Sequence, residues 1–378
     1  MKILLYMPSH IEKRNANQAL ASVLLRCLDR KAEISAASKL PSEWLTYDVI
    51  HVFGCNEIRG SRLVRKAKHE RIPTILSPLG DLQPWNRSKH GIKRVCLTSI
   101  LQRQMTTDAS AVHLCSVWEL QHFEQLRWNP HTQLIPNAVV SSLVNEDQMA
   151  NAMLKLYQKV IDSNAYAQIR TMQRRAILLL LQAGIDAEKT NDPVYKAETD
   201  HIIPTLTATD WRNIRLYAYD EQILDLIEIG LKRIQFNAPN IVVEEIERFP
   251  SIYHYEKKHL ESKTLPDHCQ KARNCRIIEA SEDSNVRELA TMVLHIKDEV
   301  RRHTMPLLHL ADLYTKLKFS DYDEDGFSDL IIQMGIDAFT ARLISILEVE
   351  LGLTEGFHPI EARRDNETKR LTRNIIKL

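Results

Sequence analysis

Glycine is scarce in this chain, 10 of 378 residues. A diphosphate cradle built from bare backbone N–H groups needs glycines close together. The stretch after the first apolar run, Ser9–Asn17 (SHIEKRNAN), has none. Cysteine is equally sparse. Six cysteines with no framework spacing exclude a disulfide scaffold and read as reduced thiols of a cytosolic protein. Long apolar runs are missing too: the longest, AILLLL at Ala176–Leu181, is far below the ~20 residues that cross a bilayer. The opening MKILLYMPSH is too short before Pro8 for the apolar region of a signal peptide. These absences set the expectation of a cytoplasmic protein, one that meets a membrane only peripherally, at its inner face.

What is present is a soluble globular composition, 44% hydrophobic and 26% charged, with a net charge of +1. That charge is unevenly placed. Residues 1–140 hold 19 Lys+Arg against 11 Asp+Glu, a net of +8, and the remainder holds 31 against 38, a net of −7. The asymmetry predicts two units, the first facing something anionic.

The first third alternates between two periods. KILLYM, AEIS, YDVIHVFG, Pro73–Leu76, AVHLCS and TQLIPN are short strand-like runs. Between them lie stretches of helical period. Ala16, Leu20, Val23, Leu24 and Leu28 share one face, Leu63, Val64 and Ala67 another, and Ile92, Val95, Ile100 and Leu101 a third. Ser116 with Glu119 predicts a capping box before Leu120, Phe123 and Leu126. Strand and helix in alternation mean crossover units and a parallel sheet, whose ligand crevice forms at the carboxyl ends of the strands. Pro8–His10, Gly54–Asn56, Ser77–Trp85, Ser116 and Asn137 all fall at that rim. Asp81 and His10 are the two rim side chains able to act as an acceptor base.

DVIHVFG, IPTILSPLGDLQPW, HLCSVWE and LIPNAV, in that order and at these intervals, resemble the amino-terminal domain of family-four, GT-B glycosyltransferases. The resemblance covers roughly residues 1–140. It implies a Rossmann-like acceptor-side domain and transfer of a sugar from a nucleotide sugar to a lipid-linked or glycan acceptor in polysaccharide biosynthesis. No metal and no resident cofactor are implied, the nucleotide sugar serving as donor substrate. On this reading Ser9, Ser77, Gly80 and Trp85 position the acceptor, with Asp81 and His10 as separate catalytic candidates. The bland alternative is turn chemistry for an Asp after Gly and a structural or solvated role for a lone His. Ser116, Glu119 and Asn137 line the cleft.

The donor half of that family carries two Glu eight positions apart, and no such pair exists in this chain. Ala138 stands where the family's turn has Gly. Two expectations therefore stand side by side: an active enzyme, or a non-catalytic relative that binds a glycan, a membrane or a partner protein.

Beyond residue 140 helical stripes take over: Met149, Met153, Leu156 and Val160; Ile223, Ile227 and Leu231; Val286, Leu289, Val293 and Ile296. Asn285 is expected to cap the third of these, Pro306 to open the next helix, and Asp337 to cap FTARLISILEVEL, which Gly352 stops. NIVVEE is the one strand signal. The expected division is a sheet domain over 1–140 and an α-helical domain over 141–378, whose composition names no chemistry and for which a partner-protein surface is one candidate role.

Several motifs carry a bland reading beside a functional one. Arg87, Lys89, Lys93 and Arg94 beside Trp85 suit anionic headgroups or a lipid diphosphate, and Arg59, Arg62, Arg65, Lys66, Lys68 and Arg71 add to the charge. The bland alternative is a solvated helix face. No nucleic-acid motif accompanies the charge. DYDEDG (Asp321–Gly326) opens like a calcium loop, but its twelfth position is Ile332, so an acidic helix start explains it as well. His254, His259, His268, Cys269 and Cys275 fit no zinc spacing. His51 and His113 lie inside strands and read as satisfied core groups.

Overall fold

The computed structural model describes residues 1–8, 15–83, 92–250, 272–302 and 304–377, with the side chains of 15–18, 92–98, 272, 273 and 275 left aside. They form two units. The first comprises Met1–Gln168 with Glu244–Pro250, and the second Ile169–Val243 with the chain after Pro250.

The first unit is a six-stranded parallel sheet in the order β2-β1-β3-β4-β5-β6. Its strands are β1 (Lys2–Tyr6), β2 (Glu33–Ala37), β3 (Val49–Phe53), β4 (Thr74–Ser77), β5 (Ala111–Leu114) and β6 (Thr132–Leu134). The crossover helices are α1 (Asn15–Leu28), α2 (Ile58–His69), α3 (Ile92–Asp108) and α4 (Val117–Leu126), and α5 (Glu146–Asp162) follows β6. A single turn, α6 (Ala165–Gln168), ends the run. The order turns back between β1 and β3, the switch point at which sheets of this class open a crevice.

Alternation along each strand divides the core into two layers. Ile3, Leu5, Val49, Phe53, Ile75 and Ala111 face α1 and α5. Leu4, Ile50, Val52, Leu76, Val112 and Leu114 face the opposite way, with Leu63, Val64 and Ala67 of α2 and Phe123 of α4. Both faces are covered, which is why β1 and β3 read as near-continuous apolar runs.

The sheet unit is larger than its expected span of 1–140. Met149, Met153, Leu156, Tyr157 and Val160 of α5 belong to the sheet's own core, so the boundary falls at Gln168. The chain also returns to this unit. Phe249 joins the same core layer and stacks on His131 with ring centroids 4.9 Å apart. The Phe249 amide donates to Ser163 Oγ at 2.8 Å, and the Pro250 carbonyl lies 3.1 Å from His131 Nε2.

The second unit is helical: α7 (Thr171–Ile185), α8 (Pro193–Ile202), α9 (Ala208–Asp220), α10 (Leu224–Arg233), α11 (Ala272–Glu279), α12 (Ser284–Arg302), α13 (Leu307–Phe319), α14 (Glu324–Met334), α15 (Asp337–Ile346) and α16 (Asn366–Ile376). AILLLL is the buried centre of α7, apolar on every side because helices surround it. Gly184 of α7 and Gly230 of α10 let the two backbones touch: a Cβ on Gly184 would lie 2.1 Å from the Leu226 carbonyl oxygen. Glu221, fully buried, accepts from Lys377 Nζ at 2.8 Å and from the Leu307 amide at 2.8 Å.

Several local expectations shift here. Asp283, not Asn285, caps α12, accepting from the amides of Asn285 and Val286. Asn285 instead donates to the Asp321 carbonyl. Pro306 and Ile336 occupy the N-cap positions, so α13 and α15 each begin one residue away from expectation. NIVVEE is no strand: Val243–Glu245 is a single 3-10 turn. Asp323 accepts from the Gly326 amide at 3.0 Å and caps α14. That cap gives Asp323 a structural role at the helix start. Gly352 closes the π-helical turn after α15 at φ +71. Among the described residues no helix is long and apolar enough to cross a membrane.

Candidate functional site

Inside the first unit, three strand residues on the α5-facing layer form one hydrogen-bonded chain. Tyr157 OH lies 2.9 Å from His51 Nδ1, His51 Nε2 lies 2.6 Å from Ser77 Oγ, Ser77 Oγ lies 2.6 Å from His113 Nδ1, and His113 Nε2 lies 3.0 Å from the Ile135 carbonyl oxygen. A carbonyl only accepts, so His113 carries its proton on Nε2, and with neutral rings every other role follows. Ser77 donates to His113, His51 donates to Ser77, and Tyr157 donates to His51. All four donors point the same way. Burial holds both rings neutral. His113 is depressed to about 4 and His51 falls well below the ordinary imidazole value, helped by the neighbouring His113. His51 and His113 are thus satisfied core groups. Ser77 is one as well: wholly buried and held between two imidazoles, it presents no hydroxyl to an acceptor.

The carboxyl rim lies just beyond. After β4 the backbone runs through two left-handed residues in succession, Leu79 at φ +53 and Gly80 at φ +84. Glycine removes the steric cost at the second of them. That turn aims the Gly80 amide at Glu119 Oε1, 2.9 Å away, and Glu119 Oε2 accepts from the Cys115 amide at 2.8 Å. Ser116 caps α4 as expected, accepting from the Glu119 amide at 3.2 Å. The reciprocal half of the box is absent, because the Glu119 carboxylate ties the loops after β4 and β5 together instead. Burial pushes its pKa up. Its two backbone amides oppose that rise, and the neighbouring Asp81 adds to it. Burial also raises the Cys115 thiol, which disfavours the thiolate form.

A second brace joins the loops after β3 and β4. Asp81 Oδ2 accepts from the Cys55 amide at 3.0 Å. Gln102 of α3 donates to the Asp81 carbonyl at 3.1 Å and to Asn56 Oδ1 at 2.6 Å. Asp81 therefore stands at the rim, as expected, but only 3% exposed and turned inward. In this arrangement it is a brace and not a base open to an acceptor. Asn137 is buried, and its side chain accepts from the Val139 amide at 2.9 Å in a turn of its own.

Ser9, His10, Trp85, Arg87 and Lys89 lie outside the described residues, as do the side chains of Lys93 and Arg94 and most of the His254–Cys275 stretch. Of the remaining expected residues, Gly80, Asp81, Ser116 and Glu119 come together in one bonded cluster, Asn137 sits two strands from β4, and Ser77 lies beneath. Among the described residues no group of three or more His, Cys, Asp or Glu is placed to hold a metal ion.

Trp118 was not singled out by sequence. It is 77% exposed, at the start of α4, beside exposed Val117. A signal existed. Leu120 and Phe123 mark the buried stripe of this helix, and a residue two positions before Leu120 must face the other way. Gln102 gave no such signal, because its role depends on a turn formed about twenty residues earlier. No protein-family model, curated protein or solved structure matches the chain, so the site is defined by its own geometry.

Proposed function

We propose that the chain is a glycosyltransferase-like protein of glycan or polysaccharide assembly. Its carboxyl rim receives a lipid-linked or glycan acceptor, and a nucleotide sugar is the donor. The observation that supports this reading is the fixed rim: Glu119 and Asp81 lock three successive loops after β3, β4 and β5 into one edge. An edge ordered before the ligand arrives loses little freedom on binding. Trp118 adds an exposed ring at that edge, a surface suited to the apolar face of a sugar. Contact with an anionic membrane surface through Arg87, Lys89, Lys93 and Arg94 belongs to the same reading, and vesicle co-sedimentation tests it.

One observation favours the second reading, a non-catalytic binder of a glycan, a membrane or a partner protein. Asp81 and Glu119 both direct carboxylate oxygens at backbone amides, so their chemistry is that of scaffolding. Thermal unfolding with a panel of uridine and guanosine diphosphate sugars separates the two. An enzyme at ligand concentrations about a hundredfold above Kd gains about 2.7 kcal/mol. A midpoint unmoved by every sugar nucleotide in the panel rejects the transferase and leaves the binder.

A further inference from the structure

Helix α2 starts near the rim, four residues after β3, and its solvent face carries five cations spread over about half of its circumference. Arg59, Arg62, Arg65, Lys66 and Lys68 are exposed, and Arg71 follows the last turn. Between Ile58 and His69 there is no acidic residue. Lys68 is paired with Asp108 at 2.7 Å, and Lys66 lies over the Trp44 ring at 4.9 Å. Arg59, Arg62 and Arg65 have no carboxylate partner among the described residues. They stand three residues apart, in steps of about 4.5 Å along the axis. Like charges at this spacing repel and weaken the helix that carries them. The row begins near the rim, since only four residues separate Phe53, the end of β3, from the start of α2, with Glu57 at its N-cap.

We propose that this ridge binds a linear anionic glycan, a chain bearing carboxylate or phosphate on successive sugars, and leads its end to the carboxyl rim. The inference deepens the glycosyltransferase-like reading by naming the charge class of the acceptor, and it rests on that reading for the direction in which the glycan runs. Two other polyanions fit the charge less well. A bilayer contact combines cations with apolar side chains that enter the interface. Here Leu63, Val64 and Ala67 are buried, and Ile58 is the helix's one exposed apolar residue. Single-stranded nucleic acid calls for aromatic platforms among the cations, and α2 has no Phe, Tyr or Trp. Guanidinium groups with no carboxylate partner among the described residues match repeated carboxylates or phosphates by charge and by their forked donor geometry.

The test uses the full chain and the variant R59A/R62A/R65A, whose three side chains are exposed and take no part in the core. Binding is measured to polygalacturonate, to neutral dextran, to vesicles of equal parts phosphatidylcholine and phosphatidylglycerol, and to a single-stranded oligonucleotide. The expected result is salt-sensitive binding of polygalacturonate and not of dextran, weakened about tenfold or more in the variant, with vesicle binding unchanged. Equal binding of polygalacturonate by both proteins, or by neither, overturns the proposal. So does a loss in the variant as large for vesicles or oligonucleotide as for polygalacturonate. The thermal response to sugar nucleotides reads the transferase question separately, because the variant leaves the braced loops intact.

Discussion

His51 and His113 are two buried imidazoles with no counter-charge beside them among the described residues, and that makes them acid-sensitive. Their folded-state values lie below the unfolded value of 6.5. Above pH 6.5 both states are neutral at these sites and stability is unaffected. As pH falls from 6.5 toward about 4, the unfolded chain takes up protons that the folded chain refuses, and stability is lost. For His113 alone the expected loss between about pH 7.5 and about pH 5 is about 2 kcal/mol. Urea unfolding of the full chain at those two values, followed by a signal from the sheet unit, checks it. A flat profile would mean that the two rings take up protons in the folded chain as they do in the unfolded one. The residue scale also shows where sequence reading stops. Burial of His51 and His113 was legible from their place inside strands. The role of Ser77 was not, since a strand-end serine looks the same whether it faces a ligand or an imidazole on a neighbouring strand.

Elements are more legible than single side chains. Periodicity alone located the sheet's strands and four crossover helices, because each had to cover one apolar face. It failed at NIVVEE, where β-branched residues lie next to a turn and no neighbouring strand is available to pair. It also said nothing about the crossing of α7 and α10, since two glycines 46 residues apart carry no visible relation in sequence. That crossing gives a sharp expectation. The substitution Gly184→Ala puts a methyl carbon 2.1 Å from the Leu226 carbonyl oxygen, so the helices must separate. The cost is about 3 kcal/mol, at the upper end for overpacking, and it should be seen in the denaturation midpoint of the helical unit. A G184A variant of unchanged stability would show that the two helices do not touch there.

At the scale of the whole molecule, composition announced two units through charge, but it placed their boundary too early. An apolar stripe says that a helix is covered and does not say by what, so α5 read as part of the helical half. The return of Glu244–Pro250 was invisible for a related reason: a short polar-flanked segment ending in Phe-Pro has no period. The return predicts that a fragment ending at Gln168 is incomplete. It lacks Phe249, whose ring packs in the sheet core and stacks on His131, and it lacks Glu247, paired with Lys159 at 2.9 Å. Removing a buried aromatic costs about 3 kcal/mol or more. The fragment should therefore unfold at lower urea than the same unit in the full chain. Addition of a peptide spanning residues 240–252 should partly restore it, and equal midpoints for fragment and full chain would refute the prediction.

Phe249 also imposes a schedule on birth at the ribosome. The sheet strands have all emerged by the time Leu134 leaves the exit tunnel, yet one aromatic ring of the layer that α1 and α5 cover arrives more than a hundred residues later. During that interval the nascent amino-terminal unit has an open apolar seam, the kind of surface that chaperones grip and aggregates grow from. Production of this protein should accordingly be governed less by its final stability than by how that seam is sheltered while translation runs on.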